Sequence, residues 1–132
     1  MIFIDTNYFL RFLICDVEKQ YQITRYLFEE GALGKVQLFT SLVVIFEINW
    51  VLSSFYKKKK QEVISILSDI MSMHFIKLEK GEYLKEAIKL FIDSNLDFED
   101  CFNLVYAKES EADSIATFDR TLKNKFKELR SS

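Results

Sequence analysis

Apolar positions recur along this chain with two different periods. Residues 2–4, Ile2-Phe3-Ile4, form an apolar run without polar alternation. That is the pattern of a strand buried on both faces, as in parallel sheets. Residues 8–13 read as a short helix, broken at Cys15 and Asp16. Residues 18–30 are amphipathic, with Ile23, Tyr26, Leu27 and Glu30 at helical spacing and Gly31 and Gly34 marking the end. Residues 36–39 form a second strand, closed by Thr40 and Ser41. The apolar stretch 42–52 is too long for a buried strand and reads as a helix capped by Ser41. A basic link, 55–60, leads to a helix over 62–72 with Val63, Ile66, Leu67 and Ile70 on one side. Residues 73–78 read as a third strand, and 82–94 as a helix striped by Leu84, Ala87, Ile88 and Phe91. A helix over 97–110 is capped by Asp97. A fourth strand over 114–117 then ends at Phe118 and Asp119, and a short helix starts at Thr121. The polar tail from about Lys127 is expected to fray, with a short fifth strand within 126–129. Strands alternating with helices imply right-handed crossovers and a parallel sheet covered on both faces. The expectation is one α/β domain spanning residues 1–132.

Composition narrows the class. Hydrophobic residues make up 49% of the chain and aromatics 15%, ample for a packed core and far from the composition of a disordered chain. Net charge is −2, which by itself advertises no nucleic-acid partner. With the five acids singled out below set aside, however, Lys and Arg outnumber the remaining Asp and Glu. A mildly basic body around an acidic pocket suits a polyanion bound through metal. Cys15 and Cys101 stand in unrelated contexts without a CxxC, and read as free thiols in a reducing compartment. The amino terminus lacks a basic region before its apolar run, and no apolar run reaches the ~18 residues of a membrane helix. The expectation is a soluble cytoplasmic protein.

The candidate chemistry is acidic. Asp5 falls at the carboxyl end of the first strand, the edge at which open α/β sheets bind ligands. Asp5 can equally be read as the cap of the following helix. Asp119 repeats the pattern after the fourth strand. Glu47 falls inside the stripe Val43, Phe46, Trp50 and Val51. A buried carboxylate there needs either a metal or an ion pair, for which Arg11 or a lysine would serve. Asp97 and Asp100 lie one turn apart at a helix start, where acids also favour the helix dipole by about 0.3–1 kcal/mol each. Two unit charges 4 Å apart repel by about 4 kcal/mol at an effective dielectric of 20. Convergence of Asp5, Glu47, Asp100 and Asp119 would therefore call for a divalent cation. Oxygen-only donors point to Mg²⁺ or Mn²⁺ rather than zinc. The single His74 reads as structural, and the run Lys57 to Lys60 as a solvated loop. Arg11 and Lys123 are better placed for phosphate contact.

Asp5-Thr6-Asn7, Ser41 with Glu47 and Trp50-Val51-Leu52, Asp97-Phe98-Glu99-Asp100 and Thr117-Phe118-Asp119 occur in one order along the chain. In that order they resemble the PIN-domain nucleases, and within them the VapC toxins of toxin–antitoxin pairs. The resemblance spans the chain from Met1 to about Leu122. It implies a three-layer α/β/α sandwich with a four- to five-stranded parallel sheet. It also implies a Mg²⁺- or Mn²⁺-dependent endoribonuclease, a homodimer, restrained by a cognate VapB-type antitoxin. It carries the catalytic and metal-ligand roles to Asp5, Glu47, Asp100 and Asp119. Asp97 matches a further acid often found in the family, and Asn7 and Thr117 would orient the carboxylates. The fifth strand is poorly written in residues 124–132, and Cys101-Phe102 is bulkier than the family pattern.

Two other readings compete. A Mg²⁺-dependent phosphoaspartate domain also places an Asp after the first strand. Its dehalogenase form wants Asp-x-Asp, where this chain has Asn7, and no late lysine is well placed. A non-catalytic PIN-like module would bind RNA or a protein without cutting, which the intact acid set argues against.

Overall fold

A computed structural model describes residues 1–131. The chain divides into two compact units, Met1–Lys80 and the remainder from Gly81. In the first unit, β1 (Ile2–Phe3), β2 (Leu38–Thr40) and β3 (Ile76–Leu78) form a parallel sheet in the order β1-β2-β3. Helices α1 (Thr6–Ile14) and α2 (Glu18–Ala32) connect β1 to β2, and α3 (Leu42–Ser54) and α4 (Lys60–Met71) connect β2 to β3. Ile2 pairs with Leu38 and Phe3 with Phe39, and the Ile4 amide extends the ladder to the Phe39 carbonyl at 2.8 Å. Gly31 lies in the last turn of α2, one residue before its end, as expected. A Cβ there would meet Leu38 Cδ1 at 2.5 Å, so the glycine lets the helix approach β2. The turn falls at Gly34, whose φ of 78° is left-handed. Phe9, Phe12 and Phe28 cluster where α1 meets α2, with the Phe12 and Phe28 rings edge-on at 4.8 Å. Ser41 caps α3 by accepting from the Val44 amide, as its position before the apolar run predicts.

The second unit is helical: α5 (Gly81–Ile92), α6 (Phe98–Glu109) and α7 (Arg120–Ser131). The stripe Leu84, Ala87, Ile88 and Phe91 is buried as its spacing predicts. Phe98, fully buried, packs against Phe91 with ring centroids 5.7 Å apart.

Several expectations are corrected. Ile2 and Phe3 are 40% and 47% exposed, so β1 is not covered on both faces; Ile4, at 1%, carries the burial instead. The buried face of α2 is Thr24, Phe28 and Gly31, which turns Ile23 and Tyr26 outward. The buried face of α3 is Val44, Ile45, Ile48, Asn49 and Leu52, leaving Val43 and Trp50 exposed. With Glu47 and Asn49 the first polar residues along it, α3 has too narrow a polar side to fix its phase. Among the described residues the sheet has three strands. Residues 114–117 form none: Ser114 and Ala116 are exposed, and the segment has little apolar surface to bury. The fifth strand suggested within 126–129 and the tail from Lys127 are instead helical, part of α7. Leu122, Phe126 and Leu129 fall at i, i+4 and i+7, and the first two are buried. No helix among the described residues is long and apolar enough to cross a membrane.

Candidate active site

Asp5 stands at the N-cap of α1, where β1 gives way to helix. Its carbonyl accepts from the Tyr8 amide at 3.1 Å, but its side chain makes no cap hydrogen bond. The exposed carboxylate is thus left uncommitted by the helix it precedes. The backbone just before it is pinned, because the buried Thr40 hydroxyl donates to the Ile4 carbonyl at 2.8 Å. Glu47 is exposed rather than buried, because α3 is turned differently from the phase the sequence suggests. Among the described residues it forms no ion pair with Arg11 or a lysine. Its Oε1 accepts from the hydroxyl of Thr6, a residue 4% exposed, at 2.8 Å. Thr6 is the supporting residue the sequence reading missed; the signal was a hydroxyl beside the leading aspartate. Asn7 is exposed and borders a small cavity with Tyr8 and Arg11. Arg11 is engaged locally, donating to Gln20 Oε1 at 2.6 Å and lying 3.4 Å from Asp16 Oδ1. Replacing Thr6 by Val should free the Glu47 carboxylate, whereas Thr6→Ser, which keeps the hydroxyl, should leave it held. Structures of the two variants, compared at the Glu47 side chain, check this.

In the second unit, Asp97, Asp100 and Asp119 line one open cavity of about 770 Å³, together with Thr121, Asn124 and Lys125. Asp97 caps α6: its Oδ1 accepts from the Asp100 amide at 2.9 Å. Asp119 likewise receives the Leu122 amide at the start of α7, at 3.2 Å. Thr117 acts on the backbone, its hydroxyl accepting from the Asp119 amide at 3.0 Å, so it positions that residue without touching its carboxylate. Asp100 is half-buried in the first turn of α6. Burial lifts its carboxyl above the usual range, and the negative charges of Asp97 and then Asp119 lift it further. Lys123 borders a different cavity, whereas Lys125, which the sequence reading passed over, borders the acidic one and lies 3.3 Å from Glu128. His74 is exposed.

Among the described residues, no three His, Cys, Asp or Glu side chains are gathered at the spacing of one ion's ligands. The charges of Asp97 and Asp119 nonetheless reach Asp100. The two findings are compatible, because Coulomb forces act over many ångströms and coordination only over about 2.0–2.6 Å. The donor chemistry fits a hard divalent cation: carboxylates sharing a cavity wall, with no sulfur or imidazole among them. Asp5 and Glu47 in the first unit are of the same donor type.

Comparison with known proteins adds an independent line. The chain is 29% identical over 123 residues to a VapC ribonuclease of Aquifex aeolicus (strain VF5), covering 93% of this chain and 90% of that protein. No solved structure matches. The sequence profile of the PIN domain matches residues 2–127. That family has the three-layer α/β/α architecture the sequence led us to expect, and over nearly its whole length this chain belongs to it.

Proposed function

We propose that this protein is a metal-dependent endoribonuclease and the toxin of a toxin–antitoxin pair. The observation that carries the reading is the acidic cavity of Asp97, Asp100 and Asp119, in which Asp100 holds its proton more tightly than an ordinary carboxyl. The family and the likeness to a VapC ribonuclease support it. We assign the catalytic and metal-holding roles to Asp5 and Glu47 of the first unit and to Asp100 and Asp119 of the second, with Mg²⁺ or Mn²⁺ as the ion. Asp97 serves first as the cap of α6 and second as a further ligand. When bound, the cation supplies positive charge against the phosphate oxygens and acidifies a water.

The remaining steps belong to the chain. Thr6 holds Glu47 in one orientation, and Thr117 holds the backbone of Asp119. Asp100, its carboxyl raised above the ordinary range by burial and by its acidic neighbours, is the acid we assign to take a proton from the attacking water. Asn7 supports the acids at the first strand, and Arg11 and Lys123 are assigned to RNA phosphates. Exposed apolar side chains on α2 and α3, among them Tyr26, Val43 and Trp50, supply surface for a second copy and for a VapB-type antitoxin. The protein would work in the cytoplasm. Incubating the purified chain with a synthetic single-stranded RNA and Mg²⁺ or Mn²⁺ tests the reading. Internal cleavage is expected, and intact RNA under both ions contradicts it.

A further inference from the structure

The second unit carries another cavity, of about 520 Å³, that the acid chemistry does not use. Its size is that of a small-ligand site. Lys123, Lys127 and Arg130 line it, and among the described residues the one carboxylate side chain beside them is Asp113. These cations fall at i, i+4 and i+7 of α7 and so share one face. On the neighbouring face of the same helix, Lys125 is neutralised at 3.3 Å by Glu128. Among the described residues, Lys123 and Lys127 have no acidic partner within ion-pair distance. Arg130 reaches the backbone carbonyl of Asp113, not its carboxylate, and keeps its other N–H donors available. All three side chains are exposed, so water screens their mutual repulsion and leaves their charge open to an anion. Half-buried Ile115 gives the cavity an apolar wall, beneath which Phe126 is packed into the core, and that wall suits the sugar of a nucleotide whose phosphate meets the cations.

We infer that this cavity beside α7 binds the backbone of single-stranded RNA, gripping phosphates away from the bond that is cut. The inference rests on the ribonuclease reading for its ligand. Helix α7 then separates two functions. The face bearing Asn124 and Lys125 borders the acids, and the face bearing Lys123 and Lys127 holds the strand.

The test uses the full chain and a fluorescein-labelled single-stranded RNA in EDTA, so that binding is read without cleavage. Affinity is measured across a salt series for the wild type, for Lys123→Gln/Lys127→Gln, and for Lys19→Gln/Lys85→Gln, which makes the same charge change at exposed lysines elsewhere. Each phosphate contact on a single strand adds about 0.7 to the salt slope. The cavity variant is therefore expected to flatten the slope by about 1.4 and to lose about tenfold in affinity at low salt, while the control keeps the wild-type slope. Equal slopes for both variants overturn the inference, and if the wild type still cleaves RNA, the ribonuclease reading survives that result. A wild type that binds RNA with the cavity-dependent slope but never cuts it supports the inference and removes the nuclease. A wild type with no RNA affinity at any salt overturns both.

Discussion

Asp100→Asn should abolish most RNA cleavage and at the same time raise the melting temperature of the metal-free protein at pH 7. The loss of activity is expected to be about a hundredfold or more, since changing even the outer partners of metal ligands costs up to that much. The gain in stability follows from the sign of the shift. In the folded protein the Asp100 carboxyl is raised by burial and by Asp97 and Asp119, so the unfolded chain releases this proton first. Stability is therefore fullest below about pH 4, the ordinary carboxyl range, and falls as pH rises through the window between the unfolded and folded values. Asparagine removes that loss. The advantage of the variant should be present at pH 7 and shrink to nothing below about pH 4. Thermal melts from pH 3 to 8 for both proteins check it. A variant less stable than the wild type at pH 7 would mean that the Asp100 charge is held by favourable contacts instead.

The second large effect separates capping from chemistry. Asp5 and Asp119 both precede helices, and either could be explained as a cap. Asparagine caps about as well as aspartate. Asp119→Asn keeps an oxygen for the Leu122 amide, and Asp5→Asn disturbs no cap bond because none is made. Both variants should melt close to the wild type and lose cleavage about a hundredfold or more. If either cleaves RNA at the wild-type rate, that aspartate is only a helix start, and its place among the ligands is lost.

Much of the fold could be read from spacing where polar residues interrupt apolar ones. In α5 the interruptions fix the phase, and Leu84, Ala87, Ile88 and Phe91 are buried as expected. In α3 nothing between Leu42 and Ile45 is polar, so the sequence left the phase undetermined and Glu47 was assigned to the wrong side. The error carried into the site: a carboxylate taken as buried and needing a counter-charge is exposed and steadied by one hydroxyl. The polar composition of residues 127–131 suggested a loose end, although Leu122, Phe126 and Leu129 already spelled a helix. That misreading hid the difference between Lys123 and Lys125, which only the helical phase of α7 reveals. The acids stood out as candidates, because a carboxylate that ends an apolar run is conspicuous. Which of them cap a helix was not, since Asp5, Asp97 and Asp119 look alike in sequence and differ only in where their side-chain oxygens go.

The account stands on carboxylates that cut RNA only with a divalent ion. The direct measurement is single-turnover cleavage of a labelled RNA by wild-type protein stripped with EDTA, dialysed, and supplied stepwise with Mg²⁺ or Mn²⁺. Activity should be absent after stripping and return saturably with the ion. Undiminished cleavage by the stripped protein would contradict it.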